Sequence, residues 1–370
     1  MSRRGKNMKV LALYLPQYHS FPENDEWWGK GYTEWTALKG AKPLYPGHMQ
    51  RHPRDGYYDL IKDQPETFQR QAALAKEYGI DGFAVYRYYF TGKQLMEKPM
   101  EILLQHPETD FPYCFAWANE TWTRAWYGLK EEILMKQEYG GEKEWRAHFE
   151  TELPYFRDRR YIKKDNKPVY IIYRTFDIEC LPEMKDKWDQ WAREEGFDGI
   201  FWIGGKTAAA EDPRKDLMDA YYYFEPGYTL KHGMSALRTL SYNAATFFRQ
   251  TLNGLPYNAG QEKKILERRI PIDWIYEGVL SREYAENEYP GLIAEWDNTP
   301  RRSHKGLIYT GASPDKFGNV LKKLKDRFKD DDRWVFLNAW NEWGEGAAVE
   351  PSMEDGDAYL RAVKEVMKNG

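Results

Sequence analysis

The chain has 370 residues with 54 Lys and Arg against 58 Asp and Glu, a formal net charge of -4, and these charges are mixed along its length. That balance leaves no basic face for nucleic acid and no charged block that reads as an interaction tail. The two cysteines, Cys114 and Cys180, stand in no metal-type spacing, and the missing long apolar stretch excludes a membrane span.

The N-terminus has a basic start followed by the apolar run Val10 to Leu15, too short for a signal h-region. A cytoplasmic protein is therefore expected, or a periplasmic or secreted one if a leader precedes it. From there, short apolar runs recur along the chain: 9–19, 81–90, 112–120, 167–175, 198–205, 219–226, 290–298 and 333–343. Between them lie segments with apolar residues at three- and four-residue spacing, 65–79, 142–156, 181–196 and 313–329, which predict amphipathic helices. Two helix ends, YGIDGF and EGFDGIF, repeat a glycine stop followed by Asp-Gly and a strand.

Continuous apolar strands alternating with helices predict a parallel sheet covered by helices, and eight such units predict a (β/α)8 barrel, an α/β fold of the TIM type. No glycine-rich phosphate loop follows the first strand, which argues against an open doubly wound sheet. The chain reads as one catalytic domain over 1–370, with loop and helical insertions on the C-terminal face at about 20–60 and 227–289.

Aromatic residues make up 16% of the chain, with 15 tryptophans and 28 tyrosines. Such rings offer an apolar face with a polar edge, which suits the C–H faces and hydroxyls of sugars. In a barrel the active site forms at the C-terminal strand ends. The candidate substrate-binding residues at or near those ends are Tyr14, Gln17, Tyr18, His19, Tyr86, Tyr88, Trp117, Asn119, Glu120, Trp122, Trp202, Lys206, Glu225, Trp296, Asp297, Asn298, Trp340 and Asn341. Trp28, Glu34 and Trp35 join them from the first insertion. The carboxylates Glu342 and Glu345 stand three residues apart just beyond the eighth run and beside Trp340 and Trp343. Two carboxylates about a glycosidic bond can supply the acid and the base its cleavage needs. An ordinary capping box is the structural alternative for Glu-x-x-Glu. No zinc-type histidine cluster and no Gly-x-Ser-x-Gly motif is present, although Asp297 with Glu225 could hold a divalent ion. No cofactor is expected.

Several motifs, in order along nearly the whole chain, carry a resemblance: LPQYH and PEND (15–19, 22–25), WWGKGYTEW (27–35), FAWANETWTRAW (115–126), EWDNTPRR (295–302) and WNEWGEG with the following EP (340–346, 350–351). The chain resembles WbsX-type, glycoside hydrolase family 99-like proteins, related to endo-α-mannosidases and endo-α-mannanases. The resemblance implies a (β/α)8 barrel, α-linked manno- or rhamno-configured substrates, retention of configuration and no metal in the chemistry. It assigns Glu342 as the base that activates the sugar's own 2-hydroxyl, giving a 1,2-anhydro intermediate. Glu345 becomes the general acid and base, expected to carry a raised pKa through aromatic burial. Gly344 departs from the pattern, because the endomannosidases commonly carry a histidine there, which bears on the leaving-side subsites. Two other functions compete: a glycosyltransferase of surface polysaccharide assembly, with which the WbsX-type branch is associated, and a non-catalytic sugar-binding barrel.

Overall fold

The computed structural model describes residues 8–124, 132–214, 216–254 and 266–369. The basic start, the last two residues of the 115–126 motif and positions 255–265 of the second insertion lie outside the described residues.

Eight parallel strands form the barrel: β1 (Lys9–Tyr14), β2 (Gly82–Phe90), β3 (Tyr113–Trp117), β4 (Lys167–Ile172), β5 (Phe201–Lys206), β6 (Ala220–Tyr223), β7 (Glu288–Tyr289 and Gly291–Ile293) and β8 (Trp334–Asn338). Each falls within or against one of the eight predicted runs. Neighbours in sequence are neighbours in the sheet, and β8 returns to β1 with Lys9 opposite Trp334. The seventh strand is parted by Pro290, whose missing N–H interrupts the ladder. Its first half pairs with β6, Tyr221 opposite Glu288, and its second half with β8, Gly291 opposite Phe336, so the ring closes through it.

Eleven helices are described: α1 (Pro22–Trp28), α2 (Glu34–Gly40), α3 (Glu66–Tyr78), α4 (Lys98–Gln105), α5 (Glu142–Arg157), α6 (Leu181–Glu194), α7 (Ala236–Gly254), α8 (Asp273–Ser281), α9 (Thr299–Arg302), α10 (Pro314–Arg327) and α11 (Ala358–Asn369). The four helices predicted from periodicity are α3, α5, α6 and α10. The start of α10 is set by Ser313, whose hydroxyl accepts the Lys316 N–H, the usual N-cap bond. The end of α3 is set by Gly79 at φ +88°, a left-handed C-cap. Asp81, two residues on, accepts the Val10 N–H at 2.8 Å and so sews the next strand to β1.

The first insertion folds as α1 and α2, and the second holds α7 and α8. Both enter at C-terminal strand ends, after β1 and β6. Among the described residues no helix is long and apolar enough to cross a membrane.

Candidate active site

A cavity of about 310 Å³ opens at the C-terminal end of the barrel. Leu15 and Gln17 reach it from β1, Tyr86 and Tyr88 from β2, Ala118 and Glu120 from β3, and Tyr173 from β4. Phe224 follows β6, Trp296 and Asn298 follow β7, and Glu342 and Glu345 follow β8. The insertions and loops complete the wall with Asn24, Trp28, Glu34, Trp122, Arg301 and Arg302. Aromatic faces with a few convergent polar groups are what a sugar site requires.

Strand alternation decides which rim residues face this space. On β2, Tyr86 and Tyr88 point in while Arg87 points out, where its Nε meets Glu152 of α5 at 3.0 Å in a fully covered ion pair. On β3 the same parity sends Trp117 outward against His148, so the predicted tryptophan lies outside the cavity and Ala118 and Glu120 line it. Trp202 likewise packs outward on Trp188, its indole N–H donating to Asp189 at 3.1 Å. Tyr14 is turned toward Phe68 of α3, with its hydroxyl on Gln71.

Other predicted residues serve the frame. Asn341 accepts the Leu15 N–H at 2.7 Å and donates to the Leu15 carbonyl at 3.0 Å, clamping the ends of β8 and β1 together. Tyr18 donates to the Asn341 carbonyl and packs on Trp35, whose indole N–H is taken by the Tyr58 carbonyl at 2.6 Å. Trp340 is fully buried against Phe83, and His19 is 2% exposed with burial pushing its pKa down to about 4. Asn119 brackets the Arg174 backbone from both sides. Lys206 turns to Glu288 and lines a separate cavity of about 260 Å³. Glu225 pairs with Arg282 at 2.9 Å and Asp297 with His48 at 2.8 Å, so these two carboxylates face different partners rather than one ion.

Glu342 caps the start of a single 3-10 turn, Trp343–Glu345, and Glu345 is its last residue. The turn is held from three directions. The Glu345 and Ala347 N–H groups both reach the Glu342 carbonyl, at 3.1 and 3.0 Å, and the Asp297 N–H donates to the Glu345 carbonyl at 2.7 Å. Trp343 drives its ring into the floor, where its N–H meets Glu350, a buried carboxylate that also accepts from Gln71 and Tyr58. Gly346 ends the turn at φ +63°, with Asp297 backbone 2.8 Å from where a Cβ would stand.

One guanidinium organises the carboxylates. Arg301 donates through Nε to Glu34 at 2.9 Å, through Nη1 to Glu345 at 2.8 Å and through Nη2 to Glu342 at 2.9 Å. Three carboxylates thus share one cation, and the like charges around Glu342 and Glu345 disfavour the ionised form of each. Burial, reinforced by Glu345 and Glu34 and opposed by Arg301, pushes Glu342 up to about 8. Burial also raises Glu345, with Arg301 and Arg302 opposing. The rise expected at Glu345 is therefore present, and it extends to Glu342, which is only 5% exposed. Burial thus favours the protonated form at both Glu342 and Glu345.

A carboxyl raised on folding binds protons more tightly in the native state, so stability falls as pH climbs from the unfolded value of 4.5 through about 8. Glu342→Gln removes that titration. Its unfolding free energy is expected to exceed wild type by roughly 4 kcal/mol at pH 8 and by no more than about 1 kcal/mol at pH 5. Urea unfolding at the two pH values checks this; an advantage equal at both would contradict it.

The departure at Gly344 has a physical cause. A Cβ there would lie 2.4 Å from Glu34 Oε2 and 2.7 Å from Arg301 Nε. The Glu34–Arg301 ion pair occupies the space a side chain would take. Gly344→Ala is expected to cost about 2 kcal/mol by displacing that pair. In a Glu34→Ala background the cost should fall by roughly half, since the contact with Arg301 remains, a coupling that a double-mutant cycle measures directly.

Sequence reasoning passed over Arg301, Arg302, Tyr173, Phe224 and Asn24. Asn24 belongs to the quoted PEND motif and is 0% exposed, yet neither the oxygen nor the nitrogen of its carboxamide has a hydrogen-bond partner among the described residues. Among the described residues the buried indole N–H of Trp296 is also unmet. Buried polar groups are rarely left so, and both line the cavity.

A family model described as Glycosyltransferase WbsX matches residues 10–363. A protein described as "Uncharacterized protein WxcX", from Xanthomonas campestris pv. campestris strain B100, is 34% identical over 366 residues, covering 97% of this chain and 49% of that protein. Its counterpart in strain ATCC 33913 matches with the same 34% identity and the same coverage. The chain thus spans about half the length of the curated relatives it matches. Among solved structures, a GH99 endo-alpha-mannosidase from Bacteroides thetaiotaomicron aligns with a TM-score of 0.57 at 13% identity, over 97% of this chain and 96% of that one. A structure titled "Glycoside hydrolase-like protein" aligns with a TM-score of 0.56 at 15% identity, over 100% of this chain and 96% of that one. At those identities the likeness establishes the fold, which is glycoside-hydrolase-like.

Proposed function

We propose that this chain, which belongs to the WbsX family, is a retaining α-glycoside hydrolase acting on manno- or rhamno-configured polysaccharide or oligosaccharide. The observation that carries this reading is the carboxylate pair Glu342 and Glu345, both on the cavity and both bridged by Arg301. A binding barrel needs no such pair of buried carboxylates with raised proton affinity.

In the reaction we envisage, Glu342 takes the proton of the 2-hydroxyl as O2 attacks the anomeric carbon. The bond to the leaving oxygen breaks, and Glu345 supplies that oxygen with a proton. The product of this step is a 1,2-anhydro sugar. Water then opens the epoxide at the anomeric carbon, giving its proton to Glu345 while O2 recovers one from Glu342. Two inversions leave the configuration retained. A raised proton affinity suits Glu345, which must donate near neutral pH, whereas Glu342, raised to about 8, must ionise before it acts as base, and Arg301 is the cation against which it does so. Substrate-assisted chemistry of this kind lies outside the simple rule relating carboxylate separation to outcome.

The family description names a glycosyltransferase. The same pair would perform transfer if a sugar hydroxyl, instead of water, opened the epoxide. Reducing-end release and NMR of first-formed products on α-mannans, rhamnans and O-antigen polysaccharides test the proposal, alongside binding of nucleotide sugars. Release of a retained α-product supports hydrolysis. Tight nucleotide-sugar binding without any cleavage would replace this reading with the transferase one.

A further inference from the structure

Beyond Glu345 the cavity wall carries a second guanidinium with a different environment. Arg302 adjoins Arg301 and lines the same cavity, but its side chain makes no hydrogen bond or ion pair among the described residues, and its Nε is buried without a partner. Arg301, by contrast, engages one oxygen of each of three neighbouring carboxylates. Among the described residues Glu345 is the one acid whose charge bears on Arg302, and its Oε1 is already engaged by Arg301.

More positive charge stands behind it. The strand Arg268–Pro271 pairs in parallel with Leu307–Thr310, placing Arg268 opposite Leu307. The Leu307 N–H donates at 2.7 Å to the side chain of Asn298, itself a cavity residue. Arg268 spends one Nη on the Tyr242 hydroxyl of α7, and its Nε is buried and unmet, as is the Nε of Arg249 on the same helix. Burial and the charge of Arg268 together press the pKa values of Arg302 and Arg249 down. A guanidinium never deprotonates at ordinary pH, so these half-buried arginines remain charged, and among the described residues no carboxylate forms an ion pair with any of the three. A neutral sugar would leave that charge uncompensated, whereas a planar or tetrahedral anion fits the guanidinium fork.

We propose that Arg302, backed by Arg268 and Arg249, binds a carboxylate or phosphate substituent on the sugar residue that lies beside Glu345. This rests on the reading that a glycan occupies the cavity. It narrows the substrate to an acidic glycan, such as one with a uronic acid or a phosphorylated sugar at that position.

Calorimetric titration tests it without turnover. The probes are methyl α-mannoside, mannuronate, mannose 6-phosphate and inorganic phosphate, each at low and high salt. At least one charged sugar is expected to bind about tenfold or more tightly than the neutral one, with the advantage shrinking as salt rises. Arg302→Gln should erase most of that advantage and Arg302→Lys should keep part of it, with thermal unfolding confirming that both variants fold. Preference for mannuronate identifies a uronic acid; preference for mannose 6-phosphate identifies a phosphate ester. The proposal is overturned if neutral and charged sugars bind alike, if Arg302→Gln keeps the preference, or if inorganic phosphate binds equally well to wild type and Arg302→Gln while neither sugar is favoured. Selective binding of charged sugars with no cleavage of any acidic glycan would leave this subsite standing and sink only the hydrolase reading.

Discussion

Glu345→Gln is expected to slow cleavage of a natural, unactivated glycoside by about 10³-fold, within the range lost when a positioned general acid is removed. Glutamine keeps the shape of the side chain and can still accept from Arg301 Nη1, which lies 2.8 Å from the carboxylate, so the fold should survive. The loss should depend on the leaving group. A dinitrophenyl glycoside departs without protonation, and a burst of phenolate from Glu345→Gln would show the first step restored while opening of the anhydro sugar stays slow. Glu342→Gln should lose both substrates alike, because the 2-hydroxyl proton must be removed whatever leaves. Steady-state and pre-steady-state rates on the two substrates decide the matter. If Glu342→Gln is rescued by the activated substrate and Glu345→Gln is not, the two roles are reversed.

Arg301→Met should be the most damaging single change to stability. It leaves Glu34, at 1% exposure, together with Glu342 and Glu345 around a missing cation. Removing one partner of a buried ion pair typically costs about 3–5 kcal/mol. Here the carboxyls can evade part of that cost by staying protonated, so the sign with pH is set: the loss should be small at pH 5 and grow toward pH 8 as the unfolded carboxyls ionise and the folded ones resist. Adding Glu34→Gln, which removes one uncompensated charge, should recover part of it. Urea unfolding across that range measures both effects. A loss below 1 kcal/mol at pH 8, or one independent of pH, would mean that Arg301 is not the organiser of the site.

The barrel was legible because each strand is buried on both faces and therefore reads as an unbroken apolar run. The same property hid the phase. With no polar alternation to mark inside from outside, Trp117 and Trp202 read as rim residues, although the parity of Phe115 and Tyr170 turns them toward the helices. Asn341 was legible as a motif residue but not as a clamp, since its partner Leu15 lies 326 residues away. Glu342 and Glu345 were legible from their position after an apolar run. Arg301 was not: it stood in the quoted EWDNTPRR motif, yet an arginine in a sequence does not reveal which carboxylates fold against it. Asn24 was missed for a related reason, because only burial without a partner separates it from a turn residue.

The crowding at Gly344 also constrains descent. A lineage moving between this site and one with a histidine at that position must first discard or redirect Glu34, because the imidazole and the carboxylate compete for one volume. Either change taken alone passes through a form that is strained or has lost one partner of Arg301. The two positions, 310 residues apart in the chain, are therefore expected to switch together, and position 34 can be read as the marker that tells which version of the acid turn a given relative has inherited.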